Sequence, residues 1–162
     1  MTQPLPIDRV HHISHVTHDL EASRRFYRDI LGFREISRPN FDFPGAWLYN
    51  YGTQVHLIQT PDKQAPEKHV ATRVDHIAFH VNDIEEAEKL LKEHQIDYRS
   101  TLVADTNVTQ LFFQDPDGNH IELGGYPPHP DVTAKARLTT AKATGLPIIP
   151  SDGSKKIPAP NR

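Results

Sequence analysis

One stretch of the chain occurs twice, and that repetition constrains the fold more than any other feature. Val10-His11-His12-Ile13-Ser14-His15-Val16-Thr17-His18-Asp19-Leu20 returns as Val74-Asp75-His76-Ile77-Ala78-Phe79-His80-Val81-Asn82-Asp83-Ile84. In this alignment His12 falls on His76, Asp19 on Asp83 and Leu20 on Ile84. Each copy passes from strand-like alternation into a helix opened by an aspartate, a residue type that satisfies orphan amides at a helix start. Each copy also closes alike. Gly52-Thr53-Gln54-Val55-His56 and Gly118-Asn119-His120-Ile121-Glu122 both put a metal-capable side chain four residues after a glycine.

The pattern between these landmarks predicts β-α-β-β-β in each half. In the first half, strands are expected over 9–17, 33–37, 46–50 and 54–59, with a helix from Leu20 to about Leu31 ended by Gly32. In the second, strands are expected over 73–81, 98–103, 108–114 and 120–123, with a helix from Ile84 to about His94. Asp115-Pro116-Asp117-Gly118 has the chemistry of a turn. The expectation is α+β: two paired βαβββ modules (8–60 and 72–125) forming a curved mixed-sheet metal cleft. They make one domain over 1–125, with 61–71 as linker. After Gly125 the chain turns proline-rich, and 126–162 is expected to be an extended or disordered tail.

Composition matters mainly for what it excludes. The chain has 162 residues, formal net charge −3 and no cysteine. Disulfides, thiolate metal sites and a cysteine nucleophile are ruled out. The charge gives no electrostatic reason to expect nucleic acid. No apolar run reaches the length of a membrane span and the N-terminus lacks signal-peptide character, so a cytoplasmic protein without membrane partners is expected.

The doubled register singles out His12, His56, His76 and Glu122 as ligands of one divalent metal per site. Two come from first strands and two from last strands, which a curved sheet can set side by side. Imidazole and carboxylate suit Zn, Ni, Fe, Mn or Co. A single histidine on a strand is ordinarily a half-buried polar group, and this chain has 11. Solvated histidines do not, however, predict the same offsets in both halves. His80 shares a face with His76. Trp47, Phe113 and Arg38 are candidates for the wall of a substrate pocket.

Asp19-Leu20-Glu21-Ala22-Ser23-Arg24-Arg25-Phe26-Tyr27-Arg28-Asp29-Ile30-Leu31-Gly32-Phe33 resembles the first helix of the vicinal oxygen chelate superfamily. Phe113-Gln114-Asp115-Pro116-Asp117-Gly118-Asn119-His120-Ile121-Glu122 resembles its closing strand. That superfamily includes glyoxalase I, fosfomycin-resistance transferases, extradiol dioxygenases and bleomycin-binding proteins. The resemblance covers about residues 8–125, and 41–59 is further similar to glyoxalase I-like proteins. It implies that His12, His76 and Glu122 occupy family ligand positions. His56 stands where glyoxalase I usually has a second glutamate. Val16 and Thr60 stand where glutathione-using members tend to carry Arg and Asn.

What the resemblance implies is a glyoxalase I-like lyase or isomerase acting on a small vicinal-oxygen substrate, such as an α-oxoaldehyde adduct, through a metal-stabilised enediolate. Glu122, the one carboxylate of the four, would be the proton-transferring group as well as a ligand. The alternatives are a non-haem Fe(II) ring-cleaving-type dioxygenase and a non-catalytic small-molecule binding protein. The resemblance favours a homodimer, and the modules could pair within one chain or between two.

Overall fold

The structure is a computed structural model describing residues 4–60, 62–67 and 69–128. The elements follow β-α-β-β-β twice. In the first module they are β1 (His12–Thr17), α1 (Leu20–Arg25), β2 (Arg34–Ile36), β3 (Gly45–Asn50) and β4 (Thr53–Gln59). In the second they are β5 (His76–His80), α2 (Ile84–Glu93), β6 (Tyr98–Val103), β7 (Val108–Gln114) and β8 (His120–Gly124). Each module forms its own four-stranded mixed sheet, ordered β1-β4-β3-β2 and β5-β8-β7-β6. First and last strands therefore lie side by side, and parallel, in both.

The two helix starts are near copies. Asp19 sits at φ −129°, ψ 98° and Asp83 at φ −130°, ψ 102°. Each carboxylate accepts the amide three residues on, from Ala22 at 3.0 Å and from Glu86 at 2.9 Å. The first helix departs from the regular α-helix expected to Leu31. From Phe26 to Ile30 it widens into a π-turn, with the Leu31 amide donating to the Phe26 carbonyl at 3.2 Å. The Tyr27 hydroxyl, bonded to Asp115, and Gly32 at φ 71° fix the two ends of this stretch. Apolar spacing alone cannot reveal such an anchor.

Strand alternation divides each sheet into two faces. Ala46, Leu48, Val55 and Leu57 of the first sheet join Leu111, Phe113 and Ile121 of the second in one core with Tyr27, Leu31, Phe33 and Leu91. Burying a side chain of this size contributes roughly 1.5–3 kcal/mol. The opposite faces carry the residues of chemical interest.

The modules are joined by a polar clasp on the β7–β8 turn. Asp117 accepts hydrogen bonds from Ser23 Oγ at 2.7 Å, the His18 amide at 2.9 Å and His18 Nδ1 at 2.6 Å. Asp115 accepts from Tyr27 Oη and the Asp117 amide, both at 2.9 Å, and from Asn119 N and Nδ2, both at 2.8 Å. Desolvation beside Asp115 pushes the Tyr27 phenol well above its usual range, which keeps it a donor. The tail expectation falls almost wholly on residues 129–162, outside the described residues.

The clasp sets an acid limit on stability. Burial acts to raise the Asp117 pKa, but hydrogen bonds from Thr17, the His18 backbone, the His18 ring and Ser23 outweigh it, and the net shift is downward. A depressed carboxylate contributes stability above its unfolded value, about 3.9, and loses it as pH falls through the folded value. His15 is shifted down, chiefly by burial, against the raising fields of Asp115 and Asp117. The unfolded chain then takes up a proton below about pH 6.5 that the folded chain refuses, so stability falls with pH there too. In metal-free protein, the urea midpoint should decline gently from about pH 6.5 and steeply below about pH 4. Asp117→Asn should remove most of the steep part, and an unchanged acid limb in that variant would refute this account.

Candidate metal centre

His12 and His56 meet on the first sheet. Parallel pairing sets His12 opposite Gln54, so His56 lies two residues further along the neighbouring strand. Their rings stack with centroids 4.1 Å apart and 14° between planes. Trp47, opposite His56 on β3, covers its other side at 4.1 Å and 5°. His56 is buried, whereas His12 is exposed. Desolvation, then the neighbouring His12 and His11, lower the His56 pKa and favour the neutral ring. Its Nε2 lies 2.9 Å from Gln54 Oε1, and His12 Nδ1 lies 2.9 Å from His11 Nδ1.

His76 and Glu122 meet on the second sheet with the same geometry. His76 pairs with His120, so Glu122 again lies two residues further along the neighbouring strand. Nε2 of His76 is 2.7 Å from Glu122 Oε2, and Nδ1 is 2.7 Å from the Val74 carbonyl oxygen. The Val74 carbonyl thus holds one ring nitrogen while the other points at the Glu122 carboxyl group. Glu122 is 3% exposed, and its Oε1 accepts from Gln110 Nε2 and the Tyr126 hydroxyl.

The four candidate ligands therefore form two pairs, one per sheet. Among the described residues, no group of three or more His, Asp or Glu side chains is placed to hold a metal ion. Each pair is a half-set, and the two half-sets occupy equivalent positions on their sheets.

The candidate pocket residues divide. Trp47 lies against His56. Arg38 packs over the rings of Phe41 and Phe43, with its Cζ 4.9 Å and 5.3 Å from their centroids, and donates to the Phe43 carbonyl at 3.1 Å. It braces the β2–β3 loop. Phe113 does not face the proposed ligands. It is 0% exposed in the core, because its place in the alternation of β7 turns it away from Glu122. With His80 it borders a separate apolar cavity of about 380 Å³ beside α2, and His80 Nε2 contacts Asn82 Oδ1 at 3.2 Å. Gln110, Gln54 and Tyr126 went unnoticed in the sequence. Gln110 shares the face of Phe112 at two-residue spacing, a signal that was available. Tyr126 lies beyond the last strand, where alternation says nothing.

Comparison with known proteins gives a consistent grouping. Residues 9–123 match the family described as Glyoxalase/Bleomycin resistance protein/Dioxygenase superfamily. The chain is 38% identical over 125 residues to the Arabidopsis thaliana protein named Glyoxylase I 4, covering 74% of this chain and 72% of that one. It is 32% identical over 123 residues to metallothiol transferase FosB of Staphylococcus epidermidis, covering 74% and 82%. Among solved structures, a glyoxalase/dioxygenase from Nostoc punctiforme superposes with TM-score 0.62 at 28% identity, covering 78% of this chain and 97% of that one.

Proposed function

The chain belongs to the Glyoxalase/Bleomycin resistance protein/Dioxygenase superfamily, and on that premise we propose that it is a divalent-metal-dependent, glyoxalase I-like lyase or isomerase of a small vicinal-oxygen substrate. The observation that carries the reading is His76, whose Nδ1 is held by the Val74 carbonyl oxygen while Nε2 lies 2.7 Å from an oxygen of the buried Glu122. A divalent cation beside that pair would take both atoms as ligands. Support also comes from the equal offset on the first sheet and from a relative named a metallothiol transferase.

His12, His56, His76 and Glu122 are the proposed ligands. Because they form one half-set per sheet, the proposed site takes His12 and His56 from one chain and His76 and Glu122 from a second, which makes the active form a homodimer. A bound divalent ion supplies Lewis acidity toward two neighbouring substrate oxygens. The donor set carries one negative charge, on Glu122. Three imidazoles and one carboxylate leave a divalent site net positive, which suits an anionic or strongly polarised oxygen. Glu122 is also the group able to take a proton from one carbon and return it to the next. Trp47 keeps one side of His56 dry. Val16 and Thr60 cannot reproduce the charged and amide contacts of Arg and Asn, so the proposed substrate is an adduct other than the glutathione one.

Metal analysis of the purified protein tests this. About one equivalent per chain is expected, with isomerisation of an α-oxoaldehyde adduct lost on chelation and restored by Zn, Ni, Co, Mn or Fe(II). A protein that holds no metal and shows no thermal shift with any of them would sink the reading. A second reading rests on His56 Nε2 being engaged by Gln54. With His56 outside the coordination sphere, two histidines and a carboxylate fit an Fe(II) dioxygenase. Substrate-dependent O2 uptake would select it.

A further inference from the structure

We propose that Tyr126, seated on Gly124, is a positioning residue that pins one oxygen of Glu122 so that the other is presented beside His76; this rests on the metal-site reading above. Glu122 divides its two oxygens cleanly. Oε1 accepts from the Tyr126 hydroxyl and from Gln110 Nε2, while Oε2 lies 2.7 Å from His76 Nε2. Gln110 Nε2 also stands 3.5 Å from the Tyr126 hydroxyl oxygen, which closes a small ring of donors around Oε1. A carboxylate held in this way offers a single, directed oxygen.

The seat is built into the backbone. Gly124 follows Glu122 by two residues, so a side chain there would share its face. The Tyr126 ring occupies that space instead, and a methyl group on Gly124 would overlap its Cζ and hydroxyl oxygen. Gly124 pairs with Gln110 on β7 and with His80 on β5, which fixes its position. The first sheet has no counterpart. His56 takes the place of Glu122, Thr60 that of Tyr126, and Gly45 that of Gln110, opposite Ile58. An imidazole has no carboxylate oxygen to restrain. The two extra donors occur only where the ligand is a carboxylate.

The test uses full-length, metal-free protein and calorimetric titration with Co2+, beside thermal melting in chelator. Removing a group that orients a ligand typically weakens binding about 10–100-fold. Tyr126→Phe keeps the ring and loses the hydroxyl, and should weaken Co2+ binding by about tenfold at the low end of that range, with the metal-free melting temperature unchanged. Gly124→Ala keeps the hydroxyl and displaces the ring, and should lose affinity similarly. If Tyr126→Phe also lowers the metal-free melting temperature, Gly124→Ala decides: weakened binding supports the role and wild-type binding overturns it. Equal Co2+ affinity in wild type and Tyr126→Phe overturns the role of Tyr126 while leaving the metal site standing. A wild-type protein that binds no Co2+ overturns both together.

Discussion

His12→Ala and Glu122→Gln, each with weakened metal binding and no turnover alone, should recover about a quarter of wild-type activity when mixed and allowed to exchange subunits. The figure follows from symmetry. Random exchange makes about half of the dimers mixed, and each mixed dimer has one site with all four ligands and one with two removed. The substitutions suit the test. His12 is exposed, so its loss leaves little void, and glutamine keeps the shape and hydrogen-bonding reach of Glu122. Each single variant should lose metal affinity by on the order of a hundredfold or more, beyond the effect of removing an orienting partner. Recovery fixes the half-sets as coming from different chains. No recovery, with a wild-type dimer shown by size measurement, would mean that the site closes within one chain.

The second large effect belongs to the clasp. Asp115→Ala should destabilise the metal-free protein by roughly 3–5 kcal/mol, since each buried donor left without a partner costs about 1–3 kcal/mol. The donors at stake are the Tyr27 hydroxyl, the Asp117 amide and both nitrogens of Asn119. Asp115 is itself 5% exposed, so water cannot readily replace it. Tyr27→Phe alone should cost about 1 kcal/mol. The double variant should fall short of the sum by about 0.5–3 kcal/mol, because the two groups share one bond. Urea denaturation reads all three. A cost below about 1 kcal/mol for Asp115→Ala would show that the turn does not hold the modules together.

The sequence showed the architecture because its signals are local. Period-two alternation, two capping aspartates and glycine stops predict both modules, and the doubled offsets single out His12, His56, His76 and Glu122 before any coordinates. What it hid depends on contacts distant along the chain. Asp115 and Asp117 read as turn residues, yet their partners in the first module, Tyr27, Ser23 and His18, lie about a hundred residues earlier. Phe113 looked like pocket wall because aromatic residues serve core and cleft alike. Only the registry of β7 against β8 decides its face. Tyr126 was hidden for the same reason, since its role depends on a missing side chain at Gly124 rather than on a motif.

The Trp47 ring lies flat on His56, which lies flat on His12, and the chain contains one tryptophan. Its ultraviolet emission therefore comes from a single place, in van der Waals contact with a proposed ligand. Any event that tilts, charges or withdraws the His56 ring alters the indole's surroundings directly. The protein carries its own optical probe of this half-set, readable without a dye, a label or a coloured metal, and a colourless ion such as Zn2+ can be followed as readily as Co2+.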